Sequence, residues 1–415
     1  MLQQPSFGRH LRQLRTARGL SQSELAGDGM STGYLSRLET GARRPTERAV
    51  THLARRLGVT PADFTGSAAG SLADALTLAA STGADDAVEA VRRALADDAG
   101  ADPALRWQAR WLLARACRLA GDHAGERDHL VELVVLGDET GLVALRVRGL
   151  TRLARCLRSL GEIVPAVRTA ATAHDLAHDL DVADRATALL ALVSAETEAG
   201  RLPEADAHAT ELTGLVEGRT DTLWAEALWT AAAVRVRQGD HEGAWSILED
   251  TLERFSGGED LVLWARLRLA AGRLHLQRTP PRTTEAARCA TAAASALAFV
   301  GTPALRRQLT ALEAETAFHD GRHDHARALL GELAGTEDRM TYRDRARLHV
   351  LRNRLLVLAG DETGLQGLRT LARQARADGS LDLAAEVRGI VAALGDADRR
   401  APAPPPPVTP PATRR

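Results

Sequence analysis

Apolar positions along this chain recur at helical spacing and almost never alternate, so the pattern predicts helices from end to end. Near the amino end Phe7, Leu11 and Leu14 make an inward stripe, and Arg9, Arg12 and Arg15 are read as facing out. Ser21 and Glu24 have capping-box spacing, in which the hydroxyl accepts a free helix N–H and the carboxylate accepts the N–H of the cap. Gly27, Asp28 and Gly29 break that short helix, because glycine is a poor helix-interior residue and takes turn angles readily. Ser31 then caps a second short helix whose Leu35 and Leu38 point inward. That leaves Thr32, Gly33, Ser36 and Arg37 on the outer face, with Arg43 and Arg44 just beyond. Pro45 and Thr46 start a further helix with Val50, Leu53, Ala54 and Leu57 inside and Gly58 at its end. Thr60 and Pro61 cap a last turn ending at Phe64. Short polar groups beside an arginine are what base-edge and phosphate contacts require, so the outer face reads as one that enters a DNA groove.

Residues 65–71, TGSAAGS, are small and read as a flexible linker. Beyond them the sequence repeats. Turn dipeptides stand at Gly121-Asp122, Gly161-Glu162, Gly200-Arg201, Gly239-Asp240, Gly321-Arg322 and Gly360-Asp361, and a missing member falls near Thr279-Pro280. Ala166, Ala205, Ala244 and Ala326 lie five residues past their glycines, and Ala114, Ala154, Ala232 and Ala314 lie seven before theirs. Small residues at fixed places let paired helices approach closely, as helical-hairpin repeats need. Glu126 and Leu365 replace that alanine in two units. The period predicts about seven hairpins between 71 and 377 and a closing helix over 381–394. The run APAPPPPVTPP at 401–411 forms neither helix nor sheet, so 396–415 is read as a disordered tail. The expected division is a head at 1–64, the linker, a repeat body at 72–395 and this tail.

Composition changes the picture at three points. Residues 1–64 hold ten Arg against five Asp and Glu, while the whole chain is −1, so a basic head precedes a mildly acidic body. Cys117, Cys156 and Cys289 have no CxxC spacing and read as reduced thiols. No charged-then-apolar leader and no apolar run of about 18 residues occurs, which predicts a cytoplasmic protein. Phosphate-loop, dinucleotide and nucleophile-elbow motifs are missing from the sequence, so neither an enzyme nor a cofactor is expected. His174 with His178, and His319 with His323 and His325, are explained better by the repeat than by metal ligation.

The segments GLSQSELA, SxxYLSRLExGxRxP and LARRLGV resemble the Xre/Cro-type helix-turn-helix family across roughly 7–64, with an interval from Ala26 to Ser31 one residue shorter than its commonest pattern. The resemblance implies a five-helix domain. It makes Gln22 a phosphate contact, Thr32, Gly33, Ser36 and Arg37 base-reading positions, and Arg43 a backbone contact. Ser31, Tyr34 and Arg44 complete the expected DNA-binding set. The body resembles tetratricopeptide repeats stretched to about 40 residues, which implies an all-α protein with a right-handed superhelix of about seven hairpins.

Together, head and body resemble the peptide-sensing regulators of Gram-positive bacteria called the RRNPP group. That resemblance implies a homodimeric transcriptional regulator that binds an inverted-repeat operator in double-stranded DNA, with a signalling oligopeptide in its superhelical groove. The asparagines that often clamp the peptide in that group have one counterpart here, Asn353. The expected groove positions are instead Arg115, Arg118, Arg148, Arg155, Arg158, Arg266, Arg273, Arg347 and Arg354, with Trp111 and Trp229 at equivalent places. Such a groove suits a ligand with carboxylates or a free C-terminus; otherwise these arginines solvate the helices or pair with nearby acids. A scaffold that recruits a protein, or a regulator answering a small autoinducer, remains the alternative.

Overall fold

The computed structural model describes residues 6–61, 64, 72–82, 85–97 and 102–400. Every regular element among them is helical, and the chain divides into two compact units, 1–109 and 110–415. The predicted linker at 65–71 and the proline-rich run at 401–411 lie outside the described residues.

In the first unit the head comprises α1 (Ser6–Ala17), α2 (Gln22–Ala26), α3 (Thr32–Glu39) and α4 (Glu47–Leu57). The fifth expected helix falls partly on undescribed residues, although Phe64 is buried with its ring 5.5 Å from that of Phe7. Leu11, Leu25, Leu35, Leu38 and Leu53 are fully buried in one core. The capping box forms: Glu24 N–H donates to Ser21 Oγ at 3.2 Å, and Ser21 N–H donates to the Glu24 carboxylate at 2.6 Å. A Cβ on Gly8 would lie 2.3 Å from the Leu38 carbonyl oxygen, so α1 and α3 cross at a distance that only glycine allows.

Arg15 is a correction. It does not face out; its Nε donates to Glu39 Oε1 at 2.6 Å, and Glu39 is buried. One turn past Leu11 and next to Leu14, Arg15 lies at the edge of the inner face, where only a charged partner makes its burial tolerable.

The hairpin α5 (Leu72–Thr82) and α6 (Asp85–Asp97) also belongs to the first unit. The second unit begins within α7 (Pro103–Ala120), which pairs with α8 (His123–Thr140). There follow α9 (Val143–Leu160) with α10 (Ile163–Leu176), α11 (Val182–Glu198) with α12 (Leu202–Leu215), and α13 (Thr222–Arg237) with α14 (His241–Arg254). Next come α15 (Leu261–Leu276) with α16 (Thr283–Val300), α17 (Pro303–His319) with α18 (His323–Glu332), α19 (Tyr342–Leu358) with α20 (Glu362–Ala377), and α21 (Leu381–Arg400).

These are the seven hairpins the turn period marks out, and α5/α6 is an eighth. Its helices of 11 and 13 residues are shorter than most that follow, so they blur the register. The six turn glycines have φ between 74° and 90°, and the seventh turn is built on a cis Thr279–Pro280 peptide. Ala166, Ala205, Ala244, Ala314 and Ala326 are wholly buried between paired helices. The last helix overruns its expected end at 394. Gly395 costs a helix only about 1 kcal/mol, and no proline intervenes before Pro402.

The second unit also curls until its later hairpins meet its earlier ones. Helix α9 touches α19, and α11 touches α21. A Cβ on Gly161 would lie 2.5 Å from the Tyr342 ring, and one on Gly200 would lie 3.1 Å from Leu381 Cβ. Two of the repeat glycines therefore serve as contact points for this closure. No helix among the described residues is long and apolar enough to cross a membrane.

Candidate nucleic-acid interface and inner groove

The head holds α3 by its inner face and leaves the outer one open. Thr32, Gly33, Arg37, Arg43 and Arg44 are exposed, Ser36 and Tyr34 half-buried. A Cβ on Gly33 would meet nothing within 4 Å, so a ligand's backbone or base could approach there closely. Ser31 Oγ accepts the Tyr34 N–H at 3.2 Å and so acts first as the helix cap. The Arg43 guanidinium lies 5.0 Å over the Tyr34 ring, which stiffens a cation at the end of this face.

Two devices fix the angle of α3. The shortened turn is a single 3-10 turn, Gly27–Gly29, and His52 Nε2 lies 2.9 Å from the Ala26 carbonyl oxygen. Arg56 donates to the Glu24 carbonyl in the same region. The second device is the buried Glu39 carboxylate, which also receives Gln22 Nε2 at 2.8 Å. Gln22, expected at a phosphate, is thereby tied to α3 and Arg15 in one network across three helices.

In the second unit the expected arginines separate into distinct groups. Arg148 makes a bidentate pair with Asp184, at 2.8 Å and 3.0 Å, and is committed to the fold. Arg158 Nη1 donates to Glu198 at 2.7 Å, and Arg266 Nη1 lies 3.5 Å from Glu226 and 4.9 Å over the Trp229 ring. Arg118 and Arg155 act electrostatically on this same group. Burial, Arg118 and Arg155 together push the neighbouring Arg152 down to about 10, against the pull of Glu126. Arg152 lies 5.8 Å over the Trp111 ring.

A second group holds Arg273 and Arg347 near Asp344, with Arg347 Nη1 at 3.5 Å. Burial and the repulsion of Arg273 and Arg343 push Arg347 down to about 10. Arg354 sits apart, 4.3 Å over the Phe318 ring, and Arg115 is simply exposed. Asn353 donates to the His349 carbonyl at 2.7 Å and lines a recess of ≈ 390 Å³ with Gln366 and Gln374.

Residues 6–65 match the family model described as a helix-turn-helix domain. The head is a helix-turn-helix domain. No curated protein matches the chain. Among solved structures, a Rap protein complexed with competence and sporulation factor is similar at 10% identity and TM-score 0.54, over 95% of this chain and 100% of that one. The Rap conjugation gene regulator of plasmid pLS20, in complex with a Phr peptide, is similar at 12% identity and TM-score 0.55, over 90% and 97%. Bacillus thuringiensis PlcR, in complex with the peptide PapR7 and DNA, superposes at 13% identity and TM-score 0.40 over 73% and 98%, too little to argue from. The two Rap likenesses establish the fold of the chain behind its helix-turn-helix domain, a solenoid of tetratricopeptide-like hairpins.

Sequence reasoning placed the outer face of α3 and missed what holds it, because Glu39 and Arg15 read as ordinary surface charges. The histidines keep to the repeat. His174 turns its ring to His208, 5.4 Å away, while His178 pairs with Asp179 on the surface. Among the described residues no group of three metal-ligating side chains forms, and no disulfide joins Cys117, Cys156 and Cys289.

Proposed function

We propose that the chain is a cytoplasmic, homodimeric transcriptional regulator whose helix-turn-helix domain reads an inverted-repeat operator and whose solenoid receives an oligopeptide signal. The observation that carries the DNA half is the exposed, rigidly backed outer face of α3, with Gly33 open and Arg37, Arg43 and Arg44 projecting from it or just beyond. Thr32, Ser36 and Arg37 reach base edges, while Gln22, Arg43 and Arg44 serve the backbone. The receptor half is supported by the shared fold and by the ligands named in the two Rap structures, competence and sporulation factor and a Phr peptide. A two-fold dimer would place two such faces about one helical turn apart on the duplex.

Selection of duplexes from a random pool by the purified chain tests this. Enrichment of an inverted repeat is the expected result; recovery of the input pool unchanged, with and without cell extract, overturns the reading. For the receptor half, a peptide library is screened by native mass spectrometry, and a bound peptide must shift operator affinity to count, since equal affinity for both states would shift nothing.

A further inference from the structure

On the inner helices α7, α9 and α15, four guanidinium groups gather that the local carboxylates do not neutralise. Arg118, Arg155, Arg158 and Arg266 repel one another, and the two acids facing them are Glu226 and Glu198. Asp260, which also caps α15, adds a weaker pull on Arg266, so one positive charge is left over. Arg152, the next cation along, has Glu126 against it. Glu198 is itself shared: it lies 2.7 Å from Arg158 and 4.0 Å from Arg343.

Three further features mark the place as built to receive something. The Nε–H groups of Arg118 and Arg158 are buried with no protein acceptor in reach. Burial first, then neighbouring cations, hold Arg155 and Arg266 below the ordinary arginine value, against the pull of Glu226. Yet the Arg266 side chain keeps 40% of its surface open, as a side chain does on the wall of a wet groove, and the Trp229 ring backs it.

We propose that Arg118, Arg155, Arg158 and Arg266 form a subsite for a multidentate oxyanion, either two adjacent carboxylates or one phosphoryl group. Such a group supplies acceptors to the orphaned donors and bridges several guanidiniums at once, whereas a single carboxylate engages one or two of them. Occupancy is also transmitted. An anion on Arg158 releases Glu198 toward Arg343, which belongs to the contact between α19 and α21, so filling the subsite tightens the closure of the solenoid. This deepens the receptor reading and rests on it, but its test needs neither DNA nor peptide.

The full chain is titrated with succinate, inorganic phosphate and acetate at constant ionic strength, followed by calorimetry and thermal unfolding. One saturable site for succinate or phosphate, at least tenfold tighter than acetate, is expected; the better ligand tells a carboxylate pair from a phosphoryl group. Arg155→Gln should abolish that binding while leaving the unliganded melting temperature unchanged or higher, because it removes repulsion; a merely structural arginine would lower it. Hydrogen exchange in α21 should slow with anion in the native chain, and be slow from the outset in Arg158→Gln. Equal responses to all three anions, or full binding by Arg155→Gln, overturn the subsite. Binding with unchanged exchange in α21 overturns the transmission. A chain that takes up a neutral peptide but neither succinate nor phosphate keeps the receptor reading and loses this one.

Discussion

Arg237 and Arg343, 106 positions apart, share one carboxylate oxygen: Asp382 Oδ2 lies 3.2 Å from Arg237 Nε and 2.6 Å from Arg343 Nη1. Glu386, one turn further along α21, takes a second contact from each, at 3.1 Å and 3.3 Å. Helices α13, α19 and α21 are thereby joined by charge where the curl of the second unit brings them together. Burial works against the Arg343 cation, but Asp382, Glu198 and Glu386 outweigh it and leave its pKa above the ordinary arginine value.

Removing Arg343 should therefore cost far more than removing a surface arginine. Asp382 is buried, and stripping a buried ion of one partner typically costs about 3–5 kcal/mol; because Arg237 remains, the lower end is expected. Arg343→Ala should speed amide exchange in α21 by about a hundredfold, taking 1.4 kcal/mol per factor of ten, and enlarge the radius of gyration in solution scattering. Arg254→Ala, which removes an exposed pair with Asp250, should leave both unchanged. Equal effects from the two variants would show that α21 is held by its apolar face alone.

Acid should loosen the same contact. Burial raises the Glu386 carboxyl, but Arg343, Arg237 and Arg347 more than offset it, so its folded pKa lies below the usual glutamate value. A depressed carboxylate stabilises fully above its unfolded pKa, about 4.3, and that support is lost as pH falls through the lower folded value. His319 acts in the same direction at milder pH. Burial and Arg354 push it down to about 4, so protonation between about pH 6.5 and 4 opposes the fold. Burial also holds His275 and His349 down, so unfolding followed from pH 7 to 3 should show two losses of stability, the upper one reduced in His319→Gln and the lower one reduced in Glu386→Gln.

The head allows a cleaner dissection of DNA binding. Gly33→Ala adds a methyl group where nothing lies within 4 Å, on a helix that prefers alanine to glycine. Stability should be unchanged or higher by up to about 1 kcal/mol, while operator affinity falls because the methyl occupies the approach to the groove. Arg37→Ala should relax sequence preference by about 1–3 kcal/mol at one base pair, and Arg43→Ala should weaken all duplexes alike and reduce the salt slope by about 1. Gel shifts over a salt series distinguish these outcomes, and unaltered binding by all three variants would remove α3 from the interface.

How much of this was legible in the sequence depended on whether the physics is local. The capping box at Ser21, the alanines at fixed offsets from Gly161 and Gly200, and the seven turns follow from neighbours in the chain, and each forms as read. The pairing of Arg15 with Glu39, 24 residues away, was not legible, because either charge alone is ordinary on a helix surface. Nor was the closure of the solenoid: Arg237 and Asp382 lie 145 positions apart, and a repeat fixes each step of a superhelix without announcing where its turns meet. The arginine positions inferred from the repeat register were partly informative. Arg118, Arg155 and Arg158 do gather, whereas Arg148 is consumed by Asp184.

The shortened turn before the reading helix carries the last prediction. Gly29 passes so close to His52 that a Cβ would lie 2.3 Å from the imidazole Cε1, and that ring is itself held at 2.9 Å from the Ala26 carbonyl oxygen. Gly29→Ala cannot be absorbed without moving the ring or the turn. Losing the His52 bond costs about 0.5–1.5 kcal/mol, and a shifted turn re-aims α3 against the duplex. Stability and operator affinity should therefore both fall in Gly29→Ala. His52→Ala alone should lose only the hydrogen bond. In the double variant the clash is gone, so its stability should return to that of His52→Ala, with a coupling of the order of 1 kcal/mol in a double-mutant cycle. Additive losses in urea unfolding would mean that the turn yields elsewhere, and that the packing of Gly29 on His52 does not set the angle of α3.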